Sequence, residues 1–345
     1  MEPTPDLTPR PIPQSRYTAR STEDLLAVAP VVLGFHPADS VVMLTFGLDR
    51  PFHARIDLPP LPRDLAERRK VLEELSASLL DPVRRHRPSS VVLLFYSADA
   101  RAAAAAWRRL RRECSDLGVR VVEAVRSDAG RYYPLLRGPR RLREVGVPVD
   151  LESHPFAVQA VVDGTVVHGS REEMVATVAP DPGRQQRVAD VLARSLGHRP
   201  RPRTDRELRL LGRAVIEVVG AHVAARTVPD DVEAAWLLWA IGSVRARDAA
   251  WSLMTRDDAR EHVSFWTDVA RRAPRPFAAP PTALLGWAAW LSGDGALAWA
   301  ALDRCAEVDA SYSLADLLRQ VVEQAIDPAT LTCPIEWDAG LGDAG

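Results

Sequence analysis

The sequence contains no asparagine, and its only lysine is Lys70, set against 43 arginines. A protein built to grip phosphate backbones needs net positive charge, yet this chain of 345 residues carries −2 overall. The arginine excess therefore reads as the codon bias of a GC-rich genome. Cysteine is scarce as well. Cys114, Cys305 and Cys333 lie far apart, which excludes a disulfide framework, and no C-x-x-C pair offers a zinc site. Long apolar runs are missing: stretches such as Val91–Phe95 and Ala234–Ile241 fall far short of the roughly 20 residues that span a bilayer. The opening MEPTPDLTPRPIPQSR lacks an apolar signal core and reads as a proline-rich solvated tail. These shortages together predict a soluble, cytoplasmic protein. G-x-x-x-x-G-K-[ST], G-x-S-x-G and H-E-x-x-H are also absent, which argues against P-loop nucleotide folds, serine hydrolases and zinc proteases.

What is present is ordinary globular composition, 47% hydrophobic and 26% charged, in a length that favours two domains. The charge is unevenly divided. Residues 1–227 carry 35 basic and 28 acidic groups and residues 228–345 carry 9 and 18, a balance of +7 against −9. Such complementarity is suited to docking of two domains or to head-to-tail association. Tryptophan is just as lopsided, with eight of nine after residue 230.

Local patterns predict an α/β front. A capping box at Ser21 and Asp24 opens a helix with apolar Leu25, Leu26, Val28, Ala29 and Val32; Pro30 predicts a kink or short break, and Gly34 suits a left-handed cap. Ser40–Phe46 and Phe52–Leu58 form a hairpin around Gly47-Leu48-Asp49-Arg50. If Phe46 pairs with Pro51, Val42 faces Arg55 and Ser40 faces Asp57 on a half-exposed edge strand. A helix from Pro62 to Leu80 follows. Strand Ser90–Tyr96, helix Ala100–Leu117 and strand Val119–Val125 then have the length of a parallel βαβ unit. Ser127-Asp128-Ala129-Gly130 turns the chain back into Tyr132-Tyr133, Leu136–Val149 reads as a loop, 153–163 as a helix, and Ser170-x-x-Glu173 as a capping box.

The predicted organisation is a tail (1–19), an α/β domain with a mixed sheet and helices (20–180), a helix with an Arg/Pro linker (181–205), an all-α domain (206–328) and a second tail (329–345). Thr204-x-x-Glu207 caps the first helix of the all-α part. Trp236 with Trp239, and Trp287 with Trp290, stand at i,i+3 spacing, as expected for a helix-hairpin core. Leu285, Gly286, Ala289, Gly293, Ala298, Leu302, Cys305 and Ala310 follow the spacing of one tetratricopeptide-like hairpin.

Several of these segments look familiar together. Leu33-Gly34-Phe35-His36-Pro37 with Asp39-Ser40-Val41-Val42 resembles the opening of an uncharacterised family common in actinobacteria. Arg55-Ile56-Asp57-Leu58-Pro59, the Glu123–Arg126 strand with Tyr132-Tyr133, His154-Pro155, and Ala289-Trp290-Leu291-Ser292-Gly293-Asp294-Gly295-Ala296 are similar to later parts of it. The resemblance spans most of residues 20–325. It implies a cytosolic bacterial protein and a domain of unknown function, and names no activity. Relatives often carry a cysteine-bearing loop after the paired aromatics; here that loop is Leu135-Leu136-Arg137-Gly138-Pro139-Arg140-Arg141, which puts a metal or redox role for it in doubt.

Two polar groupings are the candidates for chemistry. The hairpin register gathers Asp39, Ser40, Arg55 and Asp57, a cation beside carboxylates that could orient a small ligand. Ligands of open α/β sheets sit beyond strand carboxyl ends, which here predicts Tyr96, Ser97 and Asp99 beside Glu123 and Arg126. Asp57 and Glu123 are the candidate catalytic carboxylates; Asp39, Ser40, Arg55, Tyr96, Asp99 and Arg126 are the candidate ligand contacts. Ion pairing and helix capping are the competing structural reading of each. No metal site and no cofactor is expected, because no ligand spacing exists for one. The function expected is a ligand- or protein-binding assembly module, with another protein or a second copy as partner and a small-molecule ligand also allowed. An enzyme of unrecognised class, hydrolase or transferase, is the alternative. Nucleic-acid binding through residues 101–145, with 12 arginines against 5 acids, is the weakest reading, and no membrane partner is expected.

Overall fold

The computed structural model describes residues 17–49, 51–163, 165–196, 199–330 and 336–342. The first part of the amino-terminal tail, Arg50 of the hairpin turn, His198, Cys333 and the end of the second tail lie outside the described residues. The chain divides into two compact units, Met1–Ser170 and Arg171–Gly345.

In the first unit α1 (Thr22–Leu33) is followed by β1 (Ser40–Phe46), β2 (His53–Asp57), α2 (Leu65–His86), β3 (Ser90–Tyr96), α3 (Ala100–Asp116), β4 (Arg120–Asp128), β5 (Arg131–Pro134), α4 (Arg140–Val145), β6 (Val147–Pro148) and α5 (Pro155–Val162). The strands form one mixed sheet of six in the order β2-β1-β3-β4-β5-β6. Among these described strand pairs only β3–β4 is parallel, joined through α3. The β1–β2 register is the one that the hairpin turn predicts, with Ser40 opposite Asp57 and Val42 opposite Arg55.

One face of the sheet carries the main core. Val41, Met43, Val91, Leu93, Phe95 and Ala124 pack against Leu75, Leu79 and Val83 of α2 and against Ala102, Ala103, Ala106 and Trp107 of α3. The alanine run of α3 combines high helix propensity with side chains small enough for close approach to the strands. The β3–β4 register skips Val122: Val91 faces Val121, whereas Val92 faces Glu123. This bulge lets Val121 and Ala124 both contribute to the same core, which strict alternation would forbid.

Three segments differ from the sequence reading. α2 runs on from Leu80 to His86 through Pro82, because Leu79, Leu80, Pro82 and Val83 are all buried and their packing outweighs one missing backbone hydrogen bond. α1 likewise runs through Pro30, itself buried, to a left-handed cap at Gly34. The stretch Leu136–Val149 is not only loop: it holds α4 and β6, and β6 adds to β5 by pairing Arg131 with Pro148 and Tyr132 with Val147.

The second unit contains no strand among the described residues. Its helices are α6 (Arg171–Ala176), α7 (Pro182–Val191) continued by a π-turn, α8 (Asp205–Ala225), α9 (Asp231–Ala240), α10 (Val244–Ser252), α11 (Ala259–Arg272), α12 (Ala279–Leu291), α13 (Gly295–Val308) and α14 (Ser313–Glu323). α11, α12, α13 and α14 pack in succession. Trp287 lies between Trp251 and Trp290, with ring centroids 4.6 and 5.0 Å away. The aromatic spacing thus marks a helical core.

Candidate functional site

The carboxyl ends of β3 and β4 bring together part of the predicted grouping. Because β1 runs antiparallel to β3 with Ser40 opposite Tyr96, Asp39 falls beside Ser97. The Ser97 hydroxyl donates to Asp39 Oδ1 at 3.5 Å and accepts the Asp99 amide at 3.1 Å. Asp39 adopts a left-handed conformation (φ 39°), and its carbonyl accepts the Leu58 amide at 2.7 Å. Asp99 is the N-cap of α3, its Oδ1 accepting the amides of Arg101 and Ala102 at 2.8 and 3.0 Å.

Arg126 is only 8% exposed. Its Nη1 donates to the Ser97 carbonyl at 2.9 Å and to Asp128 Oδ2 at 3.1 Å, and its guanidinium lies 3.9 Å from the centroid of the Tyr133 ring, opposite it in the β4–β5 register. A charge so buried persists only when its protons are taken up, and here a carbonyl, a carboxylate and a ring face do so. On the neighbouring strands Arg55 pairs with Asp57 at 2.6 Å, donates to the Ala38 carbonyl at 3.3 Å and lies 5.9 Å over the Phe35 ring. The Ser40 hydroxyl is buried without a hydrogen-bond partner.

Glu123 and Tyr96 do not belong to this grouping. β4 continues to Asp128 through its pairing with Arg131, so Glu123 lies mid-strand rather than at the carboxyl end. Glu123 Oε1 accepts the Ala124 amide at 2.9 Å and Oε2 accepts the Thr22 hydroxyl at 3.2 Å. Tyr96 is buried, its hydroxyl donating to the Leu26 carbonyl at 3.3 Å, and burial pushes the phenol well above its ordinary value.

Glu123 instead takes part in an anchor for α1 that sequence reasoning missed. The Tyr132 hydroxyl donates to Glu23 at 2.9 Å, and His154 Nε2 meets Asp24 Oδ1 at 3.1 Å. The His154 Nδ1 accepts the Phe156 amide at 3.2 Å as N-cap of α5, so the proton sits on Nε2 and points to Asp24. Desolvation, then the bond to Glu23 and the charges of Glu23 and Glu123, push Tyr132 up to about 12. The local signal was the Ser21–Asp24 capping box; its long-range partners have no signature of their own.

The charged candidates therefore hold one another: Arg55 with Asp57, Arg126 with Asp128, Asp99 with α3 and Glu123 with α1. Two open depressions are found elsewhere. One of about 420 Å³ is lined by Arg84, Arg109, Arg112 and Glu113, and one of about 320 Å³ lies in the helical unit. Glu113 in the first is already bonded to Ser76, Arg84 and Arg109. Among the described residues no group of three His, Cys, Asp or Glu is placed to hold a metal. No helix among them is long and apolar enough to cross a membrane.

The conspicuous surface feature of the first unit is α5. Val158, Val161 and Val162 are 55%, 76% and 74% exposed, and Val166 just beyond is 67% exposed. The i,i+3,i+4 spacing puts the three helical valines on one side, while Ala160 faces inward.

Fold and surface together define a two-unit protein, a six-stranded mixed α/β unit followed by a helical unit. The chain belongs to the family described as Domain of unknown function (DUF4192), whose model matches residues 23–329. No curated protein and no solved structure matches it.

Proposed function

We propose that the protein is a binding and assembly module that docks another protein through the valine face of α5. The observation that carries this reading is the exposure of Val158, Val161, Val162 and Val166. Scattered apolar residues on a surface are ordinary, but a helical stripe of β-branched ones is costly in water and gains roughly 25 cal/mol for each Å² covered. The helix is anchored rather than loose: His154 caps it and is tied to Asp24 of α1. A rigid apolar helix face is a standard surface for helix-in-groove recognition. The successive packing of α11 to α14, with its repeat-like α12–α13 hairpin, supports a scaffold role for the second unit.

The setting we infer is the cytoplasm of a bacterium, on the actinobacterial pattern of the sequence. Cys114 and Cys305 are buried free thiols, pushed up to about 11 and about 12 chiefly by desolvation, so they are inert as thiols and suited to a reducing compartment.

The test is recovery of the tagged protein from its host, side by side with a Val161→Glu/Val162→Glu variant. The wild type is expected to bring down one protein in stoichiometric amount, and the variant to lose it with an unchanged unfolding midpoint. Retention of that protein by the variant, or recovery of a bound metabolite and no protein, overturns the reading.

A further inference from the structure

The carboxyl-terminal segment 336–342 is held along one face of α8 in the helical unit. Its contacts fall in turn on Gly212, Arg209 and Asp205, whose spacing of three and then four residues puts them on one side of the helix. The segment therefore runs against the direction of α8. A Cβ built on Gly212 would meet the Trp337 ring at 2.6 Å (Cη2) and 2.8 Å (Cε3), so the ring occupies the space that a side chain would take there. Arg245 Nη1, on the neighbouring helix α10, donates to the Trp337 carbonyl at 3.0 Å. Arg209 Nη2 donates to the Leu341 carbonyl, and Asp205 Oδ2 accepts the Gly342 amide at 2.8 Å.

This is the attachment of a bound peptide rather than of a packed helix. One aromatic anchor fills a slot, and the three hydrogen bonds all go to the backbone of the segment, a pattern shared by peptide-recognition surfaces. Trp337 is half-buried, while Glu336, Asp338, Ala339 and Gly340 stay exposed. The segment takes its shape from two turns of its own, Ala339 amide on Glu336 carbonyl and Leu341 amide on Asp338 carbonyl, both at 3.1 Å, with Gly340 left-handed at φ 76°. It carries two carboxylates and no cation, against the cations Arg209 and Arg245 of the groove. Gly212 stands inside a 21-residue helix, where glycine weakens the helix relative to alanine. Room for the ring is what its missing side chain provides.

We infer that the Gly212 face of α8, with Arg245 of α10, is a recognition groove for a tryptophan-centred acidic segment, and that the chain's own carboxyl-terminal segment closes it as a detachable strap. A short element with a single anchor opens locally at lower cost than the helices beneath it. The segment follows Thr330 by only a few residues of sequence, so it rebinds at an effective concentration on the order of 1 mM. A free segment of the same chemistry must compete with that. Opening of the strap exposes the groove to such a segment in trans. The inference does not depend on the α5 reading.

The experiment is fluorescence anisotropy of a labelled peptide of residues 336–342 titrated with the full chain, with a peptide carrying Trp337→Ala as control. The full chain bearing Trp337→Ala is expected to bind the native peptide saturably at one site. Wild type is expected to bind it at least about tenfold more weakly, because its own segment competes. Gly212→Leu added to the Trp337→Ala chain is expected to abolish binding by filling the slot. Should that double variant fail to fold, Gly212→Ala in its place decides. Alanine favours the helix, so the weakening of about tenfold or more expected from crowding the ring cannot come from a weaker α8. No saturable binding to the Trp337→Ala chain, equal affinity of that chain and wild type, undiminished binding with the slot filled, or equally tight binding of the control peptide overturns the proposal. Val161→Glu/Val162→Glu added to the Trp337→Ala chain should leave peptide binding unchanged, which separates this groove from the α5 surface.

Discussion

Arg126 shows how much of the first unit depends on single committed side chains. Its guanidinium closes the carboxyl end of the parallel pair by binding the Ser97 carbonyl, Asp128 and the Tyr133 ring at once. Replacement by methionine keeps the volume but leaves a buried carbonyl and a half-buried carboxylate without their donor. We expect a loss of about 1–3 kcal/mol in urea unfolding. Arg126→Lys should recover only part of it, because an ammonium neither stacks nor forks. Asp24 offers a second test at this scale. The Arg20 amide foremost, then the Ser21 amide and His154, holds its carboxyl below its ordinary value. A depressed folded value means that the stabilisation is present above the ordinary carboxylate range and is lost as pH falls through the folded value. Stability of the wild type should therefore fall more steeply than that of Asp24→Asn between about pH 5 and pH 2. Parallel curves would contradict the anchoring role.

At the scale of elements, small residues govern the helical unit. A Cβ on Gly286 of α12 would meet Leu318 Cδ2 at 2.9 Å and the Ala301 Cβ at 3.5 Å. The Leu318 methyl is the end of a flexible side chain, so Gly286→Ala should be close to neutral once the gain in helix propensity is counted. Gly286→Val forces branched atoms into the α12–α13–α14 contact and should cost about 1–3 kcal/mol, read as a lower tryptophan-fluorescence midpoint. Elements were also what the sequence expressed best. The Ser40–Asp57 register followed from a short turn, the βαβ unit from segment lengths, and the helical hairpin from alanine and glycine spacing. The bulge at Val122 and the extension of β4 to Asp128 have no local code, since both depend on which neighbour each strand meets. For that reason the sequence pattern puts Glu123 at the carboxyl end of its strand, whereas it lies mid-strand. Its true partner, Thr22, is about a hundred residues away in sequence.

At the scale of the whole molecule, the α/β and all-helical units were legible in the distribution of strand-like alternation and tryptophan. The valine stripe of α5 was also in the sequence, at Val158, Val161 and Val162, but alternating burial on a short helix can be read either way until the fold shows which side faces the sheet unit. With that known, the candidate side chains Arg55, Asp57, Asp99, Glu123 and Arg126 are tied to internal partners, and the exposed valines of α5 are the surface on which the proposed docking rests. The most direct measurement is photo-crosslinking in the host, with a photoreactive residue in place of Val161 and, as control, in place of exposed Leu65 on α2. The binding-module account predicts one discrete crosslinked species from position 161 and none from position 65. Identical patterns from the two positions, or no adduct from Val161, would contradict it.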